Sequence, residues 1–194
     1  MKARILGLVA VGLLAGPMVA EAVVTIEVTE SAGSVHFSTS GSLNLTDATF
    51  LGGIGYADGF IPGGVNWYIA SGSGGSVDNY AFTAFDGPFG TSLTFFSSPT
   101  SVSGDDFFIW GNGGDTEQVG VPVGYVSGSS IESSMSFVGT IVGFTMIPGT
   151  YTYTLPNDTV ILRIASVSVP EPASLALLGL GFAALGFSRR RRAR

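Results

Sequence analysis

Two pairs of carboxylates have the residue types and spacing that could do chemistry. Asp105-Asp106 and Asp115-x-Glu117 lie on either side of a glycine-rich turn at residues 111–114. Calcium takes about six to eight oxygen ligands of the kind that carboxylates and loop carbonyls supply. The spacing fits no EF-hand loop, so calcium stays one interpretation beside ordinary solvated loop acids, and no other cofactor is indicated. A glycosidase would need two such acids on opposite sides of a cleft.

The single histidine, His36, is the residue that a serine hydrolase would have to use as its base. It lies between Val35 and Phe37 in an alternating stretch, so its side chain should face away from theirs, toward solvent. The chain has no Gly-x-Ser-x-Gly elbow to accompany it. We therefore expect a protein that is not an enzyme, with a secreted hydrolase as the third alternative.

Aromatic side chains are the remaining candidates for a site. Trp67, Tyr68 and Trp110 could stack on sugar rings if they are exposed, as could Tyr80 and Tyr125. Most aromatic residues of a small β protein lie in its core, so burial is the other interpretation for each. Exposed rings clustered in a groove would favour a carbohydrate-binding module.

Short β-strands are the elements that must position these residues. Residues 24–29, 35–37 and 43–45 alternate with period two, and 151–155 and 159–164 flank Pro156-Asn157-Asp158 as a hairpin would. No window sustains a helical period over three turns. The pattern predicts one all-β domain, an antiparallel sandwich or jelly-roll-like body. Further apolar runs lie at 65–70, 80–85, 93–96, 107–110 and 137–146.

The first 22 residues have the composition of a secretory signal peptide. Lys2 and Arg4 precede an apolar run, and Ala20-Glu21-Ala22 fits the small-x-small cleavage rule. This predicts a signal helix for residues 1–22 that the general secretion machinery engages and signal peptidase removes. The exported domain is then residues 23–168.

The charge of this domain differs from that of the whole chain. Residues 23–168 hold one basic residue, Arg163, against twelve acids, a net charge of about −11. Such a surface repels nucleic acid and anionic membranes, so a nucleic-acid partner is not expected. Cations or neutral polymers are the neighbours that it favours.

Residues 169–194 have three parts in a fixed order. Pro170, Glu171 and Pro172 form a stiff, extended triplet, because proline lacks an N–H and restricts the residue before it. An uncharged run then starts at Ala173 and ends at Phe187. As a helix it would be about 22 Å long, short of the ~30 Å hydrocarbon core of a bilayer. This predicts a marginal transmembrane helix.

A basic cluster follows this run at Arg189, Arg190, Arg191 and Arg192. Basic residues directly after an apolar segment hold that side in the cytoplasm, and they argue against a buried core helix. The arginines therefore act as the stop. They predict a single-pass inner-membrane precursor with a cytoplasmic C-terminus and an exported body.

Together these three parts resemble the PEP-CTERM sorting signal of Gram-negative bacteria that make exopolysaccharide. The resemblance implies that an exosortase, an integral-membrane cysteine transpeptidase, is the partner and cleaves near Pro170-Glu171-Pro172. It also implies that the protein reaches the cell surface or extracellular matrix once the tail is processed. The expected function is that of a non-enzymatic surface or matrix protein, and the alternative is a module that binds exopolysaccharide.

Overall fold

The computed structural model describes residues 22–72, 74–113 and 116–166, and these residues form thirteen β-strands and no helix. The described residues therefore include no helix that could cross a membrane. The predicted signal helix and transmembrane helix lie outside the described residues. The strands are β1 Val23–Ser31, β2 Ser34–Ser42, β3 Phe50–Gly55, β4 Gly59–Ile61, β5 Trp67–Ser71, β6 Ser76–Ala81, β7 Ala84–Phe85, β8 Ser101–Gly104, β9 Phe107–Gly111, β10 Gln118–Pro122, β11 Ser130–Val138, β12 Gly149–Leu155 and β13 Asp158–Ile164.

The strands make two sheets that pack face to face. One sheet has the order β7-β12-β13-β1-β2-β11-β8, and the other has the order β3-β6-β10-β9-β5-β4. Aromatic rings bridge them: the ring centroids of Trp67 and Tyr153 are 4.9 Å apart, as are those of Phe37 and Phe60. The all-β class is confirmed, and the two sheets form a sandwich around a shared apolar core.

One strand pair departs from the predicted antiparallel body. The first and last strands, β1 and β13, lie side by side in parallel near the middle of the seven-stranded sheet, and the other strand pairs in the described residues are antiparallel. The purely antiparallel, jelly-roll-like prediction is therefore wrong for this pair. Parallel neighbours need a long connection, and here the connection is the remainder of the domain. Local pattern cannot show which distant strands become neighbours.

The hairpin near the end of the domain is confirmed. β12 and β13 pair antiparallel, with Leu155 opposite Asp158, so Pro156 and Asn157 alone form the turn. Strand β13 is buried at Val160, Leu162 and Ile164, the alternation that a sheet with one core face requires.

Three predicted strand segments turned out differently. Leu43 and Leu45 are buried, yet β2 ends before them, because the Leu43 N–H donates to Tyr125 Oη (2.8 Å) and the Leu45 N–H to Ser127 Oγ (2.9 Å) instead of to a neighbouring strand. Residues 93–96 contribute only a bridge at Phe96. The run 137–146 leaves β11 after Val138 and continues as turns.

Gly111 on β9 tests how tightly the core is packed. A Cβ added there would lie 2.1 Å from Trp67 Nε1, whereas a Cβ added at Gly53 on β3 would meet an ordinary contact of 3.7 Å with the Val77 carbonyl. We expect Gly111→Ala to lower the free energy of unfolding by about 1–3 kcal/mol through overpacking. Gly53→Ala, the matched control, should change it by no more than about 0.5 kcal/mol. Chemical denaturation followed by tryptophan fluorescence measures both, and equal effects would contradict this account of the core.

Candidate functional site

The outer face of the six-stranded sheet carries an apolar groove, which we call the outer groove. It encloses about 370 Å³ and is lined mostly by apolar and aromatic side chains. Its lining residues are Ile54, Gly55, Tyr56, Ala57, Ile61, Tyr68, Phe95, Phe108 and Trp110. Binding sites for small ligands are commonly concave, apolar and aromatic in this way, so the groove is the candidate site of the sandwich.

Strand alternation explains why aromatic rings line the groove. On β5, Trp67 and Ile69 face the core and Tyr68 faces outward, while β9 places Trp110 outward directly opposite Tyr68. Phe108 also faces outward, and Gly120 on the neighbouring strand makes room for it, because a Cβ there would lie 2.4 Å from its ring. Strands β5 and β9 are thus apolar on both faces. The outward rings form a cluster of their own, separate from the main core.

Two tyrosine hydroxyls fix the orientation of the groove rings. Tyr68 Oη donates to the Ala57 carbonyl (2.7 Å), and Tyr56 Oη donates to Asp106 Oδ1 (2.7 Å). Burial raises the pKa of Tyr68 well above its usual value. Burial and the hydrogen bond to Asp106 do the same for the pKa of Tyr56. Both phenols therefore stay neutral at physiological pH and act as fixed, partly apolar walls.

A small carboxylate cluster lies beside Tyr56. The Oδ1 atom of Asp58 is buried and has no hydrogen-bond partner, and the charge of Asp106 acts on the same carboxyl. Burial first, and then the charge of Asp106, raise the pKa of Asp58 above its ordinary value. The carboxylate oxygens of this cluster can accept hydrogen bonds. Within the described residues there is no group of three or more acids or histidines that could hold a metal ion.

The structure separates the acids that the sequence suggested as calcium ligands. Asp105 and Asp106 come just before β9, whereas Glu117 comes just before β10, next to Gln118, which pairs with Trp110 near the opposite end of β9. The five residues of β9, at about 3.3 Å each, put roughly 16 Å between the two positions. Asp105 accepts the Glu132 N–H (2.8 Å), and Glu117 is buried. Asp115 lies outside the described residues. Asp106 is the one of the four that joins the cluster beside the outer groove.

The aromatic candidates for sugar binding divide into two groups. Tyr68 and Trp110 both line the outer groove, whereas Trp67 is 2% exposed and packs on Tyr153 in the core. Tyr56 and Phe108 line the groove and were missed. The alternation of β9 does predict that Phe108 faces away from the buried Phe107 and Ile109. Alternation shows which face of the sheet a side chain is on, but it does not show that the residues of that face line a groove. Tyr80 and Tyr125 are not among the groove residues.

His36 is placed as predicted, with Val35 and Phe37 buried and the imidazole on the other face of β2. Its Nδ1 lies 2.9 Å from Ser136 Oγ and its Nε2 lies 3.3 Å from Ser31 Oγ. A Ser-His-acid triad requires a carboxylate on one ring nitrogen and a serine on the other. The two serines therefore make a different arrangement from that triad.

The raised pKa of Asp58 gives a test by pH. A carboxyl that binds its proton more tightly in the folded state makes the free energy of unfolding fall as pH rises from about 4, the usual aspartate pKa, through the raised folded value. We expect Asp58→Asn to be more stable than wild type at neutral pH, with the difference closing toward pH 4. Glu132→Gln, at an exposed acid on β11, controls for the loss of one negative charge. Denaturation midpoints across pH measure this, and a difference that does not change with pH would contradict it.

Comparison with known proteins adds information on the tail alone. A family model described as the PEP-CTERM protein-sorting motif matches residues 168–192. No curated protein and no solved structure matches the chain. The matched region holds Pro170-Glu171-Pro172, the apolar run and the four consecutive arginines, so the resemblance seen in the sequence is confirmed. The motif implies an exosortase as processing partner, export, and a membrane-anchored precursor that is processed to the surface. This chain therefore carries a PEP-CTERM protein-sorting motif at residues 168–192.

Proposed function

We propose that this chain is a non-enzymatic protein of the cell surface or extracellular matrix, whose β-sandwich is the part that remains after sorting. The observation that carries the proposal is the match of the sorting motif to residues 168–192. The apolar run anchors the precursor, the arginines hold the C-terminus in the cytoplasm, and the exosortase cuts near the Pro-Glu-Pro triplet. Residues 1–22 direct export and are removed by signal peptidase.

The charge of the domain supports this destination. With one base against twelve acids, residues 23–168 carry about −11, which keeps separate copies apart and soluble once they leave the anchor. The Arg163 guanidinium lies 3.1 Å from Glu27 on the neighbouring strand, so the single base is already paired. Neutral matrix polymers meet no electrostatic barrier on such a surface.

The outer groove favours a second function, which is the binding of a neutral carbohydrate by the sandwich. Tyr68 and Trp110 lie at paired positions on adjacent strands, and Tyr68 is fixed by its hydrogen bond to Ala57. Side-by-side rings with fixed orientation suit the flat apolar face of a sugar and lose little conformational entropy on binding. The carboxylates of Asp58 and Asp106, beside Tyr56, would disfavour acidic sugars.

Processing of the tail can be tested on the protein from its native host. We expect intact-mass and terminal analysis of the exported form to lack residues 173–194 and to begin at Val23. Glu171→Ala leaves the apolar run unchanged and should block removal of the tail, so that the precursor accumulates in the membrane. Glu132→Ala, an acid on β11, is the control and should be processed normally. Normal processing of Glu171→Ala would contradict the role given to the triplet.

Carbohydrate binding can be tested with exopolysaccharide purified from the native host as the probe. We expect Trp110→Ala to weaken binding by about two- to tenfold, the loss of one stacking ring. Phe50→Ala on β3 removes an exposed ring that does not line the groove and should leave affinity unchanged. Isothermal titration measures both. Equal affinities for the two variants would contradict carbohydrate binding by the outer groove.

A further inference from the structure

The polypeptide leaves the sandwich at one defined end. β13 finishes at Ile164 beside Val28 of β1, and the Ala165 N–H donates to the Val28 carbonyl (2.9 Å). The turn between β1 and β2, at Ala32 and Gly33, lies at the same end. We call this the exit end, and the opposite end of the sandwich, where β1 and β13 start, the far end.

The sequence after the exit end is short. Eight residues separate Ile164 from Ala173, where the apolar run begins, and the nine Cα-to-Cα steps between those two residues reach at most about 30 Å when fully extended. The nine residues of β1 span a similar length, about 30 Å. A precursor anchored by its tail therefore holds the exit end within about 30 Å of the bilayer.

Three exposed apolar side chains lie at the exit end. Val138 ends β11 opposite Ser34 and is 73% exposed, and Ile147, two residues before β12, is 50% exposed. Val142 lies in the turn between them and is 71% exposed. We call Val138, Val142 and Ile147 the exit patch. The turn is fixed, because the Ile141 N–H donates to Glu30 Oε2 (2.8 Å).

The exit end also holds fewer acids than the far end. The carboxylate of Glu30 is bonded to the turn, and Glu27 is paired with Arg163. The far end and the strand ends near it hold several acids, namely Asp47, Asp105, Glu132 and Asp158. Of the two ends, the exit end is therefore repelled less by an anionic membrane surface.

We propose that the exit patch rests on the lipid bilayer in the precursor, with its three side chains in the headgroup region and the sandwich upright on the membrane. The inference rests on the proposed anchoring by residues 173–187. Exposed apolar side chains next to a tether gain free energy by entering an interface that the tether already holds within reach. The outer groove then lies on the side of the upright sandwich and stays open to solvent.

The absence of native cysteine allows a direct test. The full-length precursor is reconstituted in vesicles of phosphatidylethanolamine and phosphatidylglycerol that contain a headgroup-quencher lipid. A fluorophore is attached to Val142→Cys or to the matched control Val126→Cys, whose native valine is 70% exposed on a loop that bonds to Leu43 at the far end. We expect quenching at position 142 to exceed that at 126 by roughly threefold or more. Adding Val138→Ser and Ile147→Ser should reduce the excess.

The outcomes separate this inference from the proposed function. If the protein floats with the vesicles and the two labels are quenched equally, the exit patch does not contact lipid and the inference is overturned. If the label at 142 becomes shielded only in native membranes that contain the exosortase, the enzyme is the partner and the bilayer is not. If the protein does not float with vesicles at all, the proposed anchoring fails and the inference fails with it.

Discussion

The parallel pairing of β1 with β13 is the constraint on which the rest of the structure depends. Val24, Ile26 and Val28 on the first strand lie beside Val160, Leu162 and Ile164 on the last, and all six side chains are buried. The seven-stranded sheet is therefore incomplete until residue 164 has joined it. Because this contact spans nearly the whole domain, its loop-closure entropy is high and folding should be completed late. In an exported chain, the last strand and the sorting tail emerge one directly after the other.

The same pairing also determines what each end of the sandwich presents. Parallel strands start at the same end, so the start of the domain at Val23 lies far from Ser166, the last described residue. The exit end consequently combines the tether, the apolar turn at 140–146 and the paired charges of Glu27 and Arg163. The far end collects several acids, among them Asp47 and Asp158. A single topological feature thus produces a polarity along the strands that neither composition nor net charge reveals.

Local features were predictable from the sequence, and long-range ones were not. The hairpin at 149–164 is specified by alternation and by Pro156-Asn157, both of which act within a few residues. The tail was recognisable because its three parts are contiguous. The position of Trp67 in the core and Tyr68 in the groove follows from alternation only after one knows which face of β5 meets the other sheet. The separation of Glu117 from Asp106 depends on β9 lying between them, which residue spacing alone does not show.

The outer groove and the sorting signal occupy different parts of the sequence, and their physical requirements do not conflict. The outer groove needs two strands, β5 and β9, that are apolar on both faces, and Gly120 on β10 leaves room for the ring of Phe108. The groove is lined by residues between Ile54 and Trp110, whereas the sorting motif matches residues 168–192, so the two draw on separate stretches of the sequence. Because no residue belongs to both, a substitution in the Pro-Glu-Pro triplet leaves the lining of the groove unchanged, and a substitution in the groove leaves the triplet unchanged.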